Sequence, residues 1–282
     1  MISGSTTNAF QQVPRYFLIV ALFIQGWFLI LHFWLAEHAD PSVRVLGRAF
    51  DLTREGTFPT FWSCLQAMII AVAAFVIAWT LQSPSAKRRL RLAWQGIGVL
   101  FTLIALDDAA GIHERVSAIT AMSLMDRLAY PSYPWHVLLA PFLVIGLLMS
   151  AGVLLVEIKE CVAKRAALGL GLLCFAAAIV MDFAEGLGVM AELTEASHDT
   201  VSSTDKAVEE MLELIGTTMF AFVTLSLLVG RLDGLVVRLP ANESEQADDH
   251  QGLEEKEVHG IVDRQMQPDG DRESESAAFL EP

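Results

Sequence analysis

The chain has 282 residues, of which 54% are hydrophobic and 18% are charged, and its formal net charge is −14. Several apolar runs are about 20 residues long, the length that crosses the hydrocarbon core of a bilayer. This composition excludes a soluble globular protein and indicates a polytopic membrane protein. The short basic connections are explained by membrane topology, so nothing indicates nucleic-acid binding.

Six apolar segments, taken in chain order, fit transmembrane helices. They are Tyr16 to Ala36, Phe61 to Leu81, Ala93 to His113, Trp135 to Val156, Ala166 to Met190 and Glu210 to Gly230. The connections between them carry proline, charge or both. We therefore predict an all-α bundle of six transmembrane helices over residues 15–238, preceded by a cytoplasmic segment over residues 1–14.

The C-terminal region, residues 239–282, differs from the rest in composition. Residues 241–282 hold thirteen acidic and three basic residues and no sustained apolar period. Such a segment cannot bury enough apolar surface to fold, so we predict a disordered, acidic, cytoplasmic tail.

Lysine and arginine residues accumulate in alternate connections, at residues 87–91, at 159–165 and after the sixth span. By the positive-inside rule this side is cytoplasmic, which places both termini inside. Arg44, Arg48 and Arg54 in the first outer connection oppose this orientation. We expect the protein in a plasma membrane, such as a bacterial inner membrane, in contact with membrane lipid.

Acidic motifs recur at the ends of three predicted spans. The third span ends in residues 106–114 (LDDAAGIHE), the fifth in residues 181–187 (MDFAEGL), and the sixth opens on residues 209–213 (EEMLE). In the predicted topology all three lie toward the outer face. Ionisable groups are costly in hydrocarbon and usually line a site or a pathway. The shared pattern Asp-x-Ala-x-Gly in the first two motifs also suggests repeated helical hairpins.

Helical spacing selects residues within these motifs. Asp107 and Glu114 are seven residues apart and nearly eclipsed, with His113 flanking the same face, whereas Asp108 points away. Asp182 and Glu185 are i,i+3 neighbours, as are Glu210 and Glu213, so each pair can point one way. Acids at helix ends can also simply mark the water interface.

Carboxylates gathered in this way repel one another unless something compensates their charge. A divalent metal would do so, and oxygen and imidazole donors suit zinc, iron or manganese. Protonated acids are the alternative and would indicate a proton-coupled path. The predicted metal ligands are Asp107, His113, Glu114, Asp182, Glu185 and Glu213.

The favoured function is a metal-dependent membrane enzyme, a hydrolase or an oxidase, acting on a lipid-like substrate. Glu210, or His198 in the outer loop before the sixth span, would act as base. No zincin, ferritin-like, nucleophile-elbow or P-loop motif supports a named family. A cation- or proton-coupled transporter or channel using the same acids is the alternative, and a metal-binding sensor or assembly factor is a third.

Overall fold

The computed structural model describes residues 3–37, 41–81, 88–112, 115–116, 138–158, 161–186 and 198–236. The main elements within these ranges are all α-helices. They are α1 (Ser3–Ala36), α2 (Pro41–Ala49), α3 (Phe58–Thr80), α4 (Arg88–Ala110), α5 (Ala140–Ile158), α6 (Val162–Gly186) and α7 (His198–Val236). The chain divides between Leu232 and Asp233, and the bundle is the first unit. The predicted tail lies outside the described residues.

Six of these helices, all except α2, are long and apolar enough to cross a membrane. This confirms the predicted six-span, all-α architecture. In hydrocarbon every backbone polar group must be paired within the protein, and a helix achieves this inside a single segment. The nine-residue helix α2 was not predicted. It begins at Pro41, and proline is favoured in the first turn of a helix.

The helix α7 is longer than predicted. It begins at His198, whereas the sequence predicted a loop there and a span that starts at Glu210. The loop prediction is therefore wrong from His198 onward. Residues 198–210 contain no glycine or proline to stop a helix, so the backbone continues through the polar sequence.

An aromatic core, formed by Phe101, Phe175 and Phe220, joins α4, α6 and α7. The Phe220 ring lies 5.7 Å from that of Phe101 and 5.8 Å from that of Phe175, centroid to centroid. These distances and the tilted or edge-on ring planes are those that aromatic pairs prefer. The aromatic core therefore ties three transmembrane helices together.

Close backbone contact brings α6 and α7 together beside the aromatic core. A Cβ atom added to Gly171 would lie 3.2 Å from the Gly216 carbonyl oxygen, and one added to Gly216 would lie 3.2 Å from the Gly171 carbonyl oxygen. Small residues allow such an approach, which membrane helices use because lipid gives no hydrophobic driving force for their association. These two glycines thus set the spacing of α6 and α7.

Candidate functional site

Acidic side chains from α4, α6 and α7 meet around Glu213. This partly buried residue interacts electrostatically with Glu210, Asp108, Glu209 and Asp182. Asp182 is only 8% exposed and Glu209 only 7%. We call these five residues the acidic cluster. Glu213 lies where the apolar part of α7 begins, just after the polar residues 204–210.

Asp108 belongs to the acidic cluster, although helical spacing favoured Asp107 over it. The Ser63 hydroxyl of α3 donates a hydrogen bond of 2.5 Å to its carboxylate. The helical wheel gives the angle between Asp107 and Asp108, but it does not say which of them faces the bundle. Asp107 is half-buried, and its carbonyl oxygen accepts the Gly111 N–H at 2.7 Å.

A second contact joins α3 to α4 one turn deeper than the Ser63 bond. The Cys64 thiol lies 3.4 Å from the Ala105 carbonyl oxygen. Asp108 and Glu55 both act electrostatically on this thiol. Contacts between α3 and α4 therefore hold Asp108 in place. Glu55, a carboxylate from outside these helices, acts on the same region.

Glu55 reaches this region from the connection between α2 and α3. Gly111 has a φ of +56°, a conformation that glycine adopts at the end of a helix without strain. A Cβ atom at Gly111 would collide with the Glu55 carboxylate. The backbone conformation therefore favours glycine here, and its lack of a side chain leaves room for this exposed acid.

The connection that carries Glu55 is anchored on α1. The buried Nδ1 atom of His32 accepts the Leu52 N–H at 3.3 Å. The Asp51 carboxylate accepts from the Thr53 N–H at 3.0 Å and from its hydroxyl at 2.8 Å. Such local side-chain bonds stabilise tight turns. They determine where the following Glu55 lies.

Further into the bundle, three polar side chains from three helices form a hydrogen-bond network. Thr218 of α7 accepts from the Gln25 amide of α1 at 2.7 Å and from the Gln66 amide of α3 at 2.6 Å. Its own hydroxyl donates to the Leu214 carbonyl oxygen at 2.9 Å. Gln25 also donates to that oxygen at 3.0 Å. All three side chains are at most 1% exposed.

Four residues of this part of the bundle were not predicted from the sequence: Ser63, Glu55, Gln25 and Gln66. The two glutamines carried a usable signal, because a polar amide inside an apolar span needs a partner in the bundle. Ser63 and Glu55 carried none, since a serine near a helix end and an acid in a polar connection are ordinary features.

The other predicted site residues are only partly covered. Glu210 lies beside Glu213, as the i,i+3 spacing requires. His113 and Glu114 lie outside the described residues, and so do the side chains of Glu185 and His198. Among the residues that the structure describes, no group of three or more His, Cys, Asp or Glu side chains is arranged to hold a metal ion. The six-ligand set stays a prediction.

Comparison with known proteins gives one match. The family model described as a domain of unknown function, DUF8692, matches residues 16–228. The chain belongs to the DUF8692 family. The match runs from α1 to the last turns of α7 and contains the acidic cluster and the glutamine network. No curated protein and no solved structure matches the chain.

Proposed function

We propose that this DUF8692 protein is a metal-dependent membrane enzyme, a hydrolase or an oxidase, whose acidic cluster holds the metal. The observation that carries the proposal is the electrostatic interaction of Glu213 with carboxylates of two other helices, Asp108 of α4 and Asp182 of α6, beside its own neighbours Glu209 and Glu210. Like charges in a low-dielectric interior repel strongly. A divalent cation would offset that repulsion, and carboxylate oxygens suit zinc, iron or manganese.

The surrounding residues have roles that such an enzyme needs. The hydrogen bond from Ser63 orients the Asp108 carboxylate, and outer partners of this kind fix the geometry of metal ligands. A bound metal would supply Lewis acidity and activate water, or oxygen chemistry if it is iron or manganese. Glu210, adjacent to Glu213, or His198 would accept the proton that the reaction releases.

The proposed substrate is lipid-like. Glu213 lies where the apolar part of α7 begins, so a molecule that reaches it from the bilayer must combine an apolar chain with a polar group that the acids can approach. The acidic cluster lies toward one end of the helices rather than at their middle, where transporter sites commonly lie. Position therefore favours chemistry at a membrane face over passage through the membrane.

The test is the metal content of detergent-purified protein, measured by elemental mass spectrometry. We expect a stoichiometric amount of zinc, iron or manganese in the wild type and its loss in Asp108→Asn and Glu213→Gln. Glu37→Gln, at an exposed acid after α1, is the matched control and should retain the metal. A metal-free wild type, after attempted reconstitution with each of the three ions, would contradict the proposal.

A second candidate, a proton- or cation-coupled transporter, is favoured by the glutamine network. Gln25, Gln66 and Thr218 extend the polar region inward from Glu213, where a conducting path needs polar groups. In proteoliposomes containing a pH-sensitive dye, a transporter would give a proton or cation flux that Glu213→Gln abolishes and Gln66→Leu reduces. A metal-free protein without flux would exclude this second candidate as well.

The proposed orientation places the acidic cluster at the outer face and both termini in the cytoplasm, as the basic connections predict. The exposed thiol of Cys161, between α5 and α6, is a native reporter for it. A membrane-impermeant maleimide should label Cys161 only after the cells are permeabilised, and Cys161→Ser should lose that label. Labelling of Cys161 in intact cells would reverse the orientation.

A further inference from the structure

A lateral cavity lies between α3 and α4, far from the acidic cluster. It has a volume of about 320 Å³ and is lined by Phe75, Ala78, Trp79, Arg91 and Gln95. Arg91 precedes Asp108 by 17 residues on α4, which is on the order of 25 Å. The two features therefore lie at opposite ends of the same helix.

The cavity opens toward the bilayer rather than toward the interior of the bundle. Its two aromatic walls are outward-facing, with Trp79 69% exposed and Phe75 41% exposed. Ala78, at its back, is 2% exposed. A side chain on the outside of a transmembrane bundle contacts lipid, so the molecule with direct access to this cavity is a membrane lipid.

The polar lining suits a phosphate group. Arg91 and Gln95 are four residues apart on α4, so their side chains share one face of the helix. A guanidinium offers a planar set of donors that matches phosphate oxygens, and the Gln95 amide adds another donor. Arg88, in the first turn of α4, raises the positive potential there. An anionic headgroup fits this chemistry better than a zwitterionic one.

The apolar lining suits an acyl chain and depends on a glycine. A Cβ atom added to Gly98 would lie 2.8 Å from the Phe75 ring. The absence of a side chain at Gly98 therefore lets the Phe75 ring rest against α4 and form one wall of the cavity. Trp79, near the end of α3, has the amphipathic ring that favours the boundary between headgroups and acyl chains.

We propose that this cavity binds an anionic phospholipid. Its phosphate would accept hydrogen bonds from Arg91 and Gln95, and the start of one acyl chain would lie along Phe75 and Trp79. Basic pockets between transmembrane helices bind anionic headgroups by this combination of charge and apolar contact. The binding requires neither the metal nor the orientation proposed above, so it goes beyond the proposed function and can be tested separately.

Native mass spectrometry of the full chain, titrated with defined lipids, tests the proposal. The probes are phosphatidylglycerol and phosphatidylcholine with identical acyl chains, and inorganic phosphate alone. The variants are Arg91→Gln, Arg91→Lys and the control Arg89→Gln, which removes the same charge from an exposed residue outside the cavity lining. Thermal unfolding with each probe provides a second measurement.

We expect phosphatidylglycerol to bind several-fold more tightly than phosphatidylcholine. Arg91→Gln should weaken phosphatidylglycerol binding on the order of tenfold, as for the loss of one charged hydrogen bond. Arg91→Lys should fall in between, and Arg89→Gln should change binding less than twofold. If Arg91→Gln does not fold, the proposal is tested by the lipid preference of the wild type and by the phosphatidylglycerol affinity of the Arg91→Lys variant.

Two results would overturn the proposal. Equal binding of the two lipids, or equal losses in Arg91→Gln and Arg89→Gln, would mean a diffuse effect of surface charge rather than a site. Arg91-dependent stabilisation by inorganic phosphate alone, with no preference between the lipids, would assign the cavity to a free anion instead.

Discussion

The acidic cluster and the aromatic core lie on the same helix, α7, and are built in opposite ways. Glu213 is surrounded by four groups of its own charge, whereas Phe220 contacts two rings in geometries that attract. A concentration of like charge opposes folding, and complementary packing favours it. We therefore expect the aromatic core to stabilise this bundle and the acidic cluster to reduce its stability. Functional sites commonly carry such a penalty.

Truncation of the aromatic core should have the largest effect. Phe220→Ala removes a ring that is 0% exposed and contacts both Phe101 and Phe175. We expect a loss of about 3 kcal/mol in the free energy of unfolding, at the low end for a core aromatic because lipid is as apolar as the core. Unfolding in mixed micelles measures it. Phe142→Ala, at a 74% exposed ring, is the control, and an equal loss there would contradict the comparison.

A substitution at the contact between α6 and α7 should give the second-largest loss of stability. Gly216→Ala places a methyl group 3.0 Å from the Phe175 ring and 3.2 Å from the Gly171 carbonyl oxygen, so one helix must move. We expect a destabilisation of about 2 kcal/mol, read from the same unfolding transition. Gly230→Ala lies on the same helix with no atom within 4 Å, and it should be neutral or slightly stabilising. If Gly216→Ala leaves the free energy of unfolding unchanged, α6 and α7 pack loosely enough at this contact to accept a methyl group.

A substitution in the acidic cluster should raise the stability of the protein instead of lowering it. Glu213→Gln keeps the shape of the side chain and removes a carboxyl that must either be charged beside other acids or bind a proton at a cost in free energy, so metal-free protein should gain about 1 kcal/mol in stability. Thermal unfolding in the presence of a chelator measures it, with Glu37→Gln as the control. A destabilised Glu213→Gln would show that this carboxylate makes favourable contacts, and the contrast between the two regions would then fail.

The glutamine network should give the smallest change. Gln66→Leu removes the hydrogen bond that Gln66 donates to Thr218 and the long bond of 3.4 Å that it accepts from Gln25, and leaves the bond from Gln25 to Thr218. Hydrogen bonds between membrane helices contribute about 0.6 kcal/mol on average, and we expect a loss of that size. Thr102→Val is the control, because the bond that the described part of the chain gives this hydroxyl lies within its own helix, to the Gly98 carbonyl oxygen. A loss above about 2 kcal/mol would mean that the glutamine network contributes to stability on the same scale as the aromatic core.

The residues that the sequence analysis favoured and those that the structure brings together overlap only in part. Asp182, Glu210 and Glu213 were expected at one site, and Asp182 and Glu210 both interact electrostatically with Glu213. Asp108 was set aside in favour of Asp107, although Asp108 is the residue that meets Glu213 and Ser63. Periodicity alone relates residues on one helix to each other, but it contains no information on how that helix is rotated against its neighbours.

The positions of the helix ends were likewise only partly predicted from the sequence. The apolar cores of all six spans were located from composition, but α7 was expected to begin at Glu210 and begins at His198. Hydropathy marks where a segment enters the bilayer, whereas the helix itself ends only where a backbone signal stops it. The two positions coincide only when a glycine or proline stands near the membrane boundary.

The class of this protein, the number of spans and the segments that carry acids could all be predicted from the amino-acid sequence. This was possible because bilayer thickness and the need to pair every backbone group leave few structures open to a long apolar run. Three features became visible only in the folded bundle: Asp108 joins the acidic cluster, Glu55 approaches Gly111, and Arg91 lines a lateral cavity. Each of these depends on how helices are rotated and spaced, which is set by contacts between residues distant in the chain, such as Gly171 with Gly216.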